Sequence, residues 1–407
     1  MVSNNYLKAF YLALAVLLFA VNLRAPIVGL GPLVFFIEHD LHINTAVMGL
    51  LTTLPVLCFA VFSPTAPTLA RRFGIEIVLI WALMALLVGL QIRAHFLSLN
   101  GLLLGTLLLS MGITMGNVLL PIVVKIGFPL RVGWMIGGFS AVMSLAAGLA
   151  SGVAVPMAQK SGWPTALGVW FWPTLLALVA WLVVRLVSGR LNPSLPAVQS
   201  AKLARNSVPV WCSPIAWAIS FYMGLQSLLY YTLAAWLPAI LVSKGVAPSE
   251  AGWYGSVLQW VALPCLFVVG ALAEKCSQQR LALAMALCCV LGVSGLITLP
   301  LPWLIWCTAL LGIGAAGVFV LSLVFFNVRT DSAGEAVRLS AMAQTVGYLV
   351  AALGPWGAGW LYQHVHSWQW PLAVLMGLSL VMCVCGWFGG QPLTLQQWRQ
   401  RKETAHI

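Results

Sequence analysis

The chain has 407 residues, of which 61% are hydrophobic and 7% charged, with a formal net charge of +12 and a mean hydropathy of +0.99. This composition excludes a soluble globular protein of that length, whose surface calls for a charged fraction of about a quarter. It also argues against nucleic-acid binding, because no basic domain stands clear of the apolar runs.

A helix crossing hydrocarbon takes about 20 apolar residues. Twelve such segments are predicted, in chain order at 8–36, 45–70, 75–93, 97–124, 132–157, 163–187, 210–242, 250–273, 280–300, 302–327, 338–362 and 367–389. The first is too long for a signal-peptide apolar region and is followed by no cleavage site leading to a soluble domain, so it is read as a retained span. The only long polar connector, 188–209, carries Arg190, Pro193, Pro196, Lys202 and Arg205. It separates a six-helix half, 1–187, from a second six-helix half, 210–407, which ends in a short tail. The nine Cys lie mostly in apolar runs and lack metal-site spacing and His partners, so neither a disulfide framework, a metal site nor a cofactor is expected.

With both termini placed in the cytoplasm, Lys and Arg outside the spans fall on the cytoplasmic side except Arg93, Lys160 and Lys244. That asymmetry is the positive-inside pattern, and it makes the net charge a topology signal. Weak internal symmetry accompanies it. Gly49 to Arg72 in the second span matches Gly252 to Lys275 in the eighth, and Gly112-Ile113 matches Gly312-Ile313, each half a chain length apart. Two halves related by a parallel repeat are a transporter plan.

Arg24 is the most informative residue. It stands within the first span, in Asn22-Leu23-Arg24-Ala25-Pro26, where a guanidinium costs about 2.5 kcal/mol or more to insert. Two readings fit: a ligand for an anionic or strongly polar substrate in a central cavity, or a structural Arg bonded to carbonyls of neighbouring helices. The first is preferred. Pro26, Gly29, Gly31 and Pro32 follow and predict a bend that frees backbone groups beside it. No carboxylate is placed at mid-membrane: Glu38 and Asp40 are assigned to the first outer loop and the rest to span ends or the tail. Carboxylate-based proton coupling is therefore disfavoured, and uniport, exchange or symport on a protonated substrate stay open.

The fourth span carries Thr114, Asn117, Pro121 and Lys125 on one helical stripe, with Asn117 and Pro121 at cavity depth and Lys125 at the cytoplasmic mouth. Helix–helix bonding for Asn117 and snorkelling for Lys125 are the plain alternatives. The seventh span offers Tyr222, Gln226 and Tyr230, and the eleventh Ser340, Gln344 and Tyr348, both at i, i+4, i+8; the eighth has Gln259 beside Trp260. Arg24, Asn117, Gln226, Gln344 and Tyr348 are the predicted substrate contacts, with Asn22, Pro121, Lys125, Tyr230 and Gln259 as secondary candidates. Ser140, Ser144, Gly148 and Gly152 put a small residue at every fourth position of the fifth span, which is read as the moving interface between halves. Gly112 with Gly116, and Gly312 with Gly317, are read alike.

Several separated blocks resemble one family. Ala70-Arg71-Arg72-Phe73-Gly74 is similar to the basic loop between the second and third spans of the major facilitator superfamily, without that loop's usual Asp and hence without its helix-capping ion pair. Asn22-Leu23-Arg24, Gly31-Pro32, Gly49-Leu50-Leu51-Thr52-Thr53-Leu54-Pro55, Ser63-Pro64, Gly116-Asn117 to Pro121, Gly347-Tyr348 and Gly354-Pro355 resemble its cyanate porter family, which includes exporters of 2-nitroimidazole. The resemblance runs from about residue 20 to 390 and implies an all-helical, twelve-span carrier of the bacterial inner membrane. A monomeric secondary transporter of a small polar or anionic, cyanate-like solute is the expectation. Export of 2-nitroimidazole or a drug-like aromatic is the alternative. A membrane-embedded enzyme would want a catalytic cluster within the spans, and none is present; a channel would want a ring of like residues and an oligomer, and the two-half repeat argues against that.

Overall fold

Twelve helices among the described residues are long and apolar enough to span a membrane: Lys8–Leu41, Thr45–Phe73, Ile75–His95, Leu99–Gly127, Val132–Ser161, Trp163–Val187, Pro214–Ser243, Pro248–Lys275, Gln278–Thr298, Leu301–Val328, Gly334–Val365 and Gln369–Gly389. This computed structural model describes residues 2–188 and 210–398. The predicted connector beyond residue 188 and the basic tail beyond 398 lie outside the described residues. Each helix covers one predicted span, and the helices run past the apolar segments by up to a turn or so. Helical hydrogen bonding continues into polar flanks that hydropathy alone reads as loop. Glu38 and Asp40 are the clearest case. They lie not in a loop but on the last turns of helix Val34–Leu41, which closes on a left-handed His42 (φ 51°).

The first span is not one helix. Val2–Val21 ends in a turn at 22–24, a short helix Ala25–Val28 follows, then a 3₁₀ turn Gly31–Leu33 and helix Val34–Leu41. Pro26 supplies the cause: it has no N–H for the carbonyl of Asn22, and its ring clashes with that carbonyl. Lesser breaks occur in the second span at Ser63–Thr65 and in the eighth between Trp260 and Ala262. Pro121, by contrast, sits inside the continuous helix Leu99–Gly127.

Packing divides the chain into two units, Met1–Leu195 with Ala234–Trp260, and Pro196–Leu233 with Val261–Ile407. Within the first unit the third and fourth spans cross at a glycine pair. A Cβ on Gly89 would come within 2.6 Å of the Gly105 carbonyl, and one on Gly105 within 2.6 Å of the Gly89 carbonyl. Segment 234–260 joins this unit because the fifth span packs on Pro248–Trp260. Ser151 Oγ donates to the Gly252 carbonyl (2.9 Å), Ser256 Oγ to the Gly148 carbonyl (2.6 Å) and Trp260 Nε1 to the Leu145 carbonyl (3.3 Å). Gly152 faces the Trp253 ring, which a Cβ would meet at 2.6 Å. The small stripe on the fifth span therefore does seat a partner helix. The glycines of the fourth and tenth spans serve differently. Gly112 lies against the Ala82 carbonyl, Gly116 against Phe19 and Leu23, and Gly317 against Met285, each meeting a helix of its own half of the sequence.

In the second unit the ninth and tenth spans approach closely, a Cβ on Gly314 falling 2.6 Å from Cys289 Sγ. All nine Cys are free, and Cys212 and Cys276 are exposed. Arg329, just beyond the tenth span, ties the end of the twelfth. Its Nε donates to the Gly389 carbonyl (3.1 Å) and its Nη2 to the Gly390 carbonyl (3.0 Å), while Nη2 also reaches Gln278 Oε1. These bonds satisfy carbonyls orphaned at a helix C-terminus and set a cation where the helix dipole favours one. Burial lowers its pKa to about 10, which leaves it charged at neutral pH.

Candidate functional site

The break in the first span builds the site in the first unit. Arg24 takes the N-cap position of Ala25–Val28 (φ −127°, ψ −35°). Its carbonyl accepts from the N–H groups of Ile27 (3.0 Å) and Val28 (2.9 Å), and its side chain is half-buried. The helix restarts on Arg24, so the guanidinium leaves the chain where regular backbone pairing lapses.

Asn22 is fully buried, and both ends of its amide are engaged. Nδ2 donates to the Leu18 carbonyl (2.9 Å), and Oδ1 accepts from Thr174 Oγ1 in the sixth span (2.7 Å). This ties the end of the first helix, just before the break, to the sixth span. Thr174→Val should leave a buried amide oxygen unpaired and destabilise the protein by about 1–3 kcal/mol. A thermal melt would show that as a lowered Tm, and the Asn22→Ala/Thr174→Val double variant should fall less than the sum of the singles. Additive losses would contradict the pairing.

The fourth span meets the first at Gly116, where a Cβ would lie 2.8 Å from Leu23 Cδ2. Arg24 and Asn117 are the next residues on the two helices, so this contact brings them to the same level. Asn117 is half-buried, and its amide has no hydrogen-bond partner among the described residues. Thr114 turns its hydroxyl to the Ser110 carbonyl (2.7 Å). Pro121 is half-buried and Lys125 is exposed. Gln259, also in this unit, is buried two residues before the break in the eighth span.

In the second unit the seventh and eleventh spans cross where a Cβ on Gly224 would stand 3.0 Å from Gly347 Cα. Gln226, Gln344 and Tyr348 flank that crossing. Gln226 is buried and accepts from Ser227 Oγ (3.2 Å). Gln344 Nε2 donates to Ser340 Oγ (2.8 Å), using the i, i+4 spacing within one helix. Tyr348 is half-buried. Tyr230 is half-buried with its ring edge-on to Tyr231 at 5.1 Å. Tyr222 is a core pin, its hydroxyl donating to the Ala282 carbonyl (3.0 Å).

Sequence reasoning counted Arg93 only as an outer-side charge and did not single it out; the residue is 1% exposed. Its Nη1 donates to the Pro26 carbonyl (3.1 Å), while Nε and Nη2 have no partner among the described residues. The available signal was direction: helical side chains point back toward the helix N-terminus, which from Ile75–His95 carries Arg93 inward along the span. Every described carboxylate, by contrast, lies within about one helical turn of a span end or between spans. The basic loop between the second and third spans uses other partners in place of the missing Asp. Arg71 Nη2 donates to Thr68 Oγ1 (3.4 Å) and the Arg72 guanidinium lies 5.1 Å from the Phe73 ring centre.

Comparison with known proteins agrees with this architecture. The model of the Major Facilitator Superfamily matches residues 10–355 and 230–405. YycB of Bacillus subtilis (strain 168), an uncharacterized transporter, is 37% identical over 99% of each chain. The 2-nitroimidazole transporter of Escherichia coli (strain K12) is 38% identical over 92% of this chain and 94% of its own. The cyanate transport protein CynX of the same organism is 25% identical over 90% and 95%. Among solved structures, a bacterial homologue of the human lysosomal transporter Spinster, inward-facing and unoccupied, superposes with a TM-score of 0.76 over 98% of each chain at 14% identity. The inward-open xylose transporter XylE of E. coli gives 0.74 at 12% identity over 97% of this chain and 99% of its own; identities that low speak for the fold alone. With a family model spanning most of its length and relatives of 37% and 38% identity along nearly all of it, this chain belongs to the Major Facilitator Superfamily.

Proposed function

We propose that this secondary transporter carries a small monovalent anion of the cyanate kind by alternating access, with Arg24 as the principal ligand. One observation carries the reading: half-buried Arg24 stands at the broken backbone of the first span, beside the Gly116–Leu23 contact that also places half-buried Asn117, whose amide has no hydrogen-bond partner among the described residues. A guanidinium offers paired donors to an anion, and an amide adds a neutral donor that selects by hydrogen bonding. Gln226, Gln344 and Tyr348 are assigned as neutral contacts supplied by the second half, and Asn22 as the residue that anchors the helix end before the break to the sixth span. Pro121, Lys125, Tyr230 and Gln259 stay secondary. The two halves, 1–187 and 210–407, are the rocking bodies, and the fifth-span contact with Pro248–Trp260 closes the outer end. Both termini face the cytoplasm, on the strength of the basic-residue asymmetry, and the membrane is a bacterial inner membrane. The protein works as a monomer and is a carrier rather than an enzyme, a reading supported by its family.

The second reading is export of 2-nitroimidazole or a related aromatic, favoured by the 38% identity to a transporter of that compound. Counterflow in proteoliposomes separates the two. Labelled cyanate should exchange into liposomes preloaded with unlabelled cyanate, and labelled 2-nitroimidazole should not. The reverse pattern would replace the first reading by the second.

Because no described carboxylate lies deep in a span, an imposed pH gradient alone should not drive uphill uptake of a permanently charged anion. Accumulation above equilibrium on that gradient would contradict the proposed coupling.

A further inference from the structure

Three helices converge on Arg93. It extends from the third span toward the break in the first. On the fourth span only a glycine leaves it room, since a Cβ on Gly105 would fall 2.8 Å from Arg93 Cγ and 2.9 Å from its backbone nitrogen. Its target carbonyl is vacant because of the break. In a continuous helix the Pro26 oxygen would take the N–H of Leu30, but that N–H turns to Ile27 instead (3.2 Å). Arg93 Nη1 fills the place at 3.1 Å. Pro26 is two residues from Arg24, within the short helix that Arg24 caps.

The guanidinium is poorly provided for otherwise. Nε and Nη2 are buried without partners among the described residues, and no described carboxylate lies within 4 Å of it. A buried cation so thinly partnered is worse for stability than an apolar side chain of similar volume. Its use is therefore sought in what it holds.

We propose that Arg93 is a positioning residue. By gripping the Pro26 carbonyl it fixes segment Ala25–Leu33 to the third span, and so sets the direction in which Arg24 leaves the chain. The spare Nε and Nη2 donors let it keep a hold on that segment when the spans shift. The inference rests on Arg24 being the substrate ligand, as proposed above.

Arg93→Met keeps apolar volume and removes every donor, whereas Arg93→Lys keeps donors that can reach a single carbonyl. Two readouts on purified full-length protein test the idea. Hydrogen exchange of the amides at 27–31 and 33 should speed up about tenfold in Arg93→Met and return toward wild type in Arg93→Lys. In counterflow with labelled cyanate, Arg93→Met should raise KM about tenfold at nearly unchanged Vmax, with Lys again restoring it. A merely structural role would lower the yield of folded protein without moving KM per folded molecule. Unchanged exchange in Arg93→Met overturns the proposal, as does faster exchange with unchanged KM. Failure of the underlying reading is seen separately: Arg24→Gln would then leave KM intact, while the exchange result still decides whether Arg93 holds the segment.

Discussion

Arg24→Ala should abolish cyanate counterflow, by about 100-fold or more, while the protein still inserts and folds. Two charge-assisted hydrogen bonds to an anion are worth about 1.5–3 kcal/mol each, and about 2.8 kcal/mol already corresponds to a hundredfold in affinity. Insertion should not suffer, because removing a guanidinium from within a span lowers the insertion cost. Arg24 caps its short helix through its backbone and makes no side-chain capping bond. Truncating the side chain therefore leaves that cap in place. Arg24→Lys separates charge from geometry: the planar fork is lost and one cation kept, so an intermediate activity is expected. Alanine at full activity would sink the site assignment. Lysine at full activity would reduce Arg24 to a point charge.

Gly252→Val is expected to have the second-largest effect. A Cβ there would lie 2.7 Å from the Ser151 backbone carbonyl, which cannot rotate aside as a side chain could. The helices must separate, and the two serine–carbonyl bonds that lace the fifth span to Pro248–Trp260 must lengthen or break. Close approach at small residues is the main source of helix affinity in lipid, where apolar burial supplies little. Counterflow in Gly252→Val should fall at least about tenfold, with insertion unchanged, because in the proposed alternating-access cycle this contact is the one the substitution obstructs. Gly133→Val, in the same fifth span with nothing within 4 Å of its would-be Cβ, is the matched control and should transport normally. Equal activity in both variants would remove the contact from the transport cycle.

The twelve spans were legible because a bilayer imposes one length and one composition on every crossing helix. The break in the first span was legible too, since Pro26 forbids the bond that would have continued the helix. Other features depend on which neighbour a residue meets, and no span carries that in its own pattern. Gly148 and Gly152 receive a helix from the other half of the sequence, yet Gly112, Gly116 and Gly317 repeat the same small-residue signal and meet helices of their own half. Asn22 and Asn117 look alike in sequence; one has Thr174 opposite it and the other has no partner among the described residues. The role of Arg93 was passed over for a related reason. Near a span end a basic residue ordinarily snorkels outward, and only the freed carbonyl of Pro26 on another helix draws this one in. Arg329 likewise looked like one more cytoplasmic charge, whereas it closes the carbonyl end of the twelfth span.

The central claim is that Arg24 binds a small anion. It is tested most directly by thermal shift of purified wild type and Arg24→Gln, each with cyanate and with 2-nitroimidazole. A ligand that binds only the folded state stabilises it by about 2.7 kcal/mol at 100 times its Kd. Cyanate should raise the Tm of wild type and not that of Arg24→Gln, and 2-nitroimidazole should move neither. Equal stabilisation of both proteins by cyanate, or stabilisation by 2-nitroimidazole alone, would contradict the account.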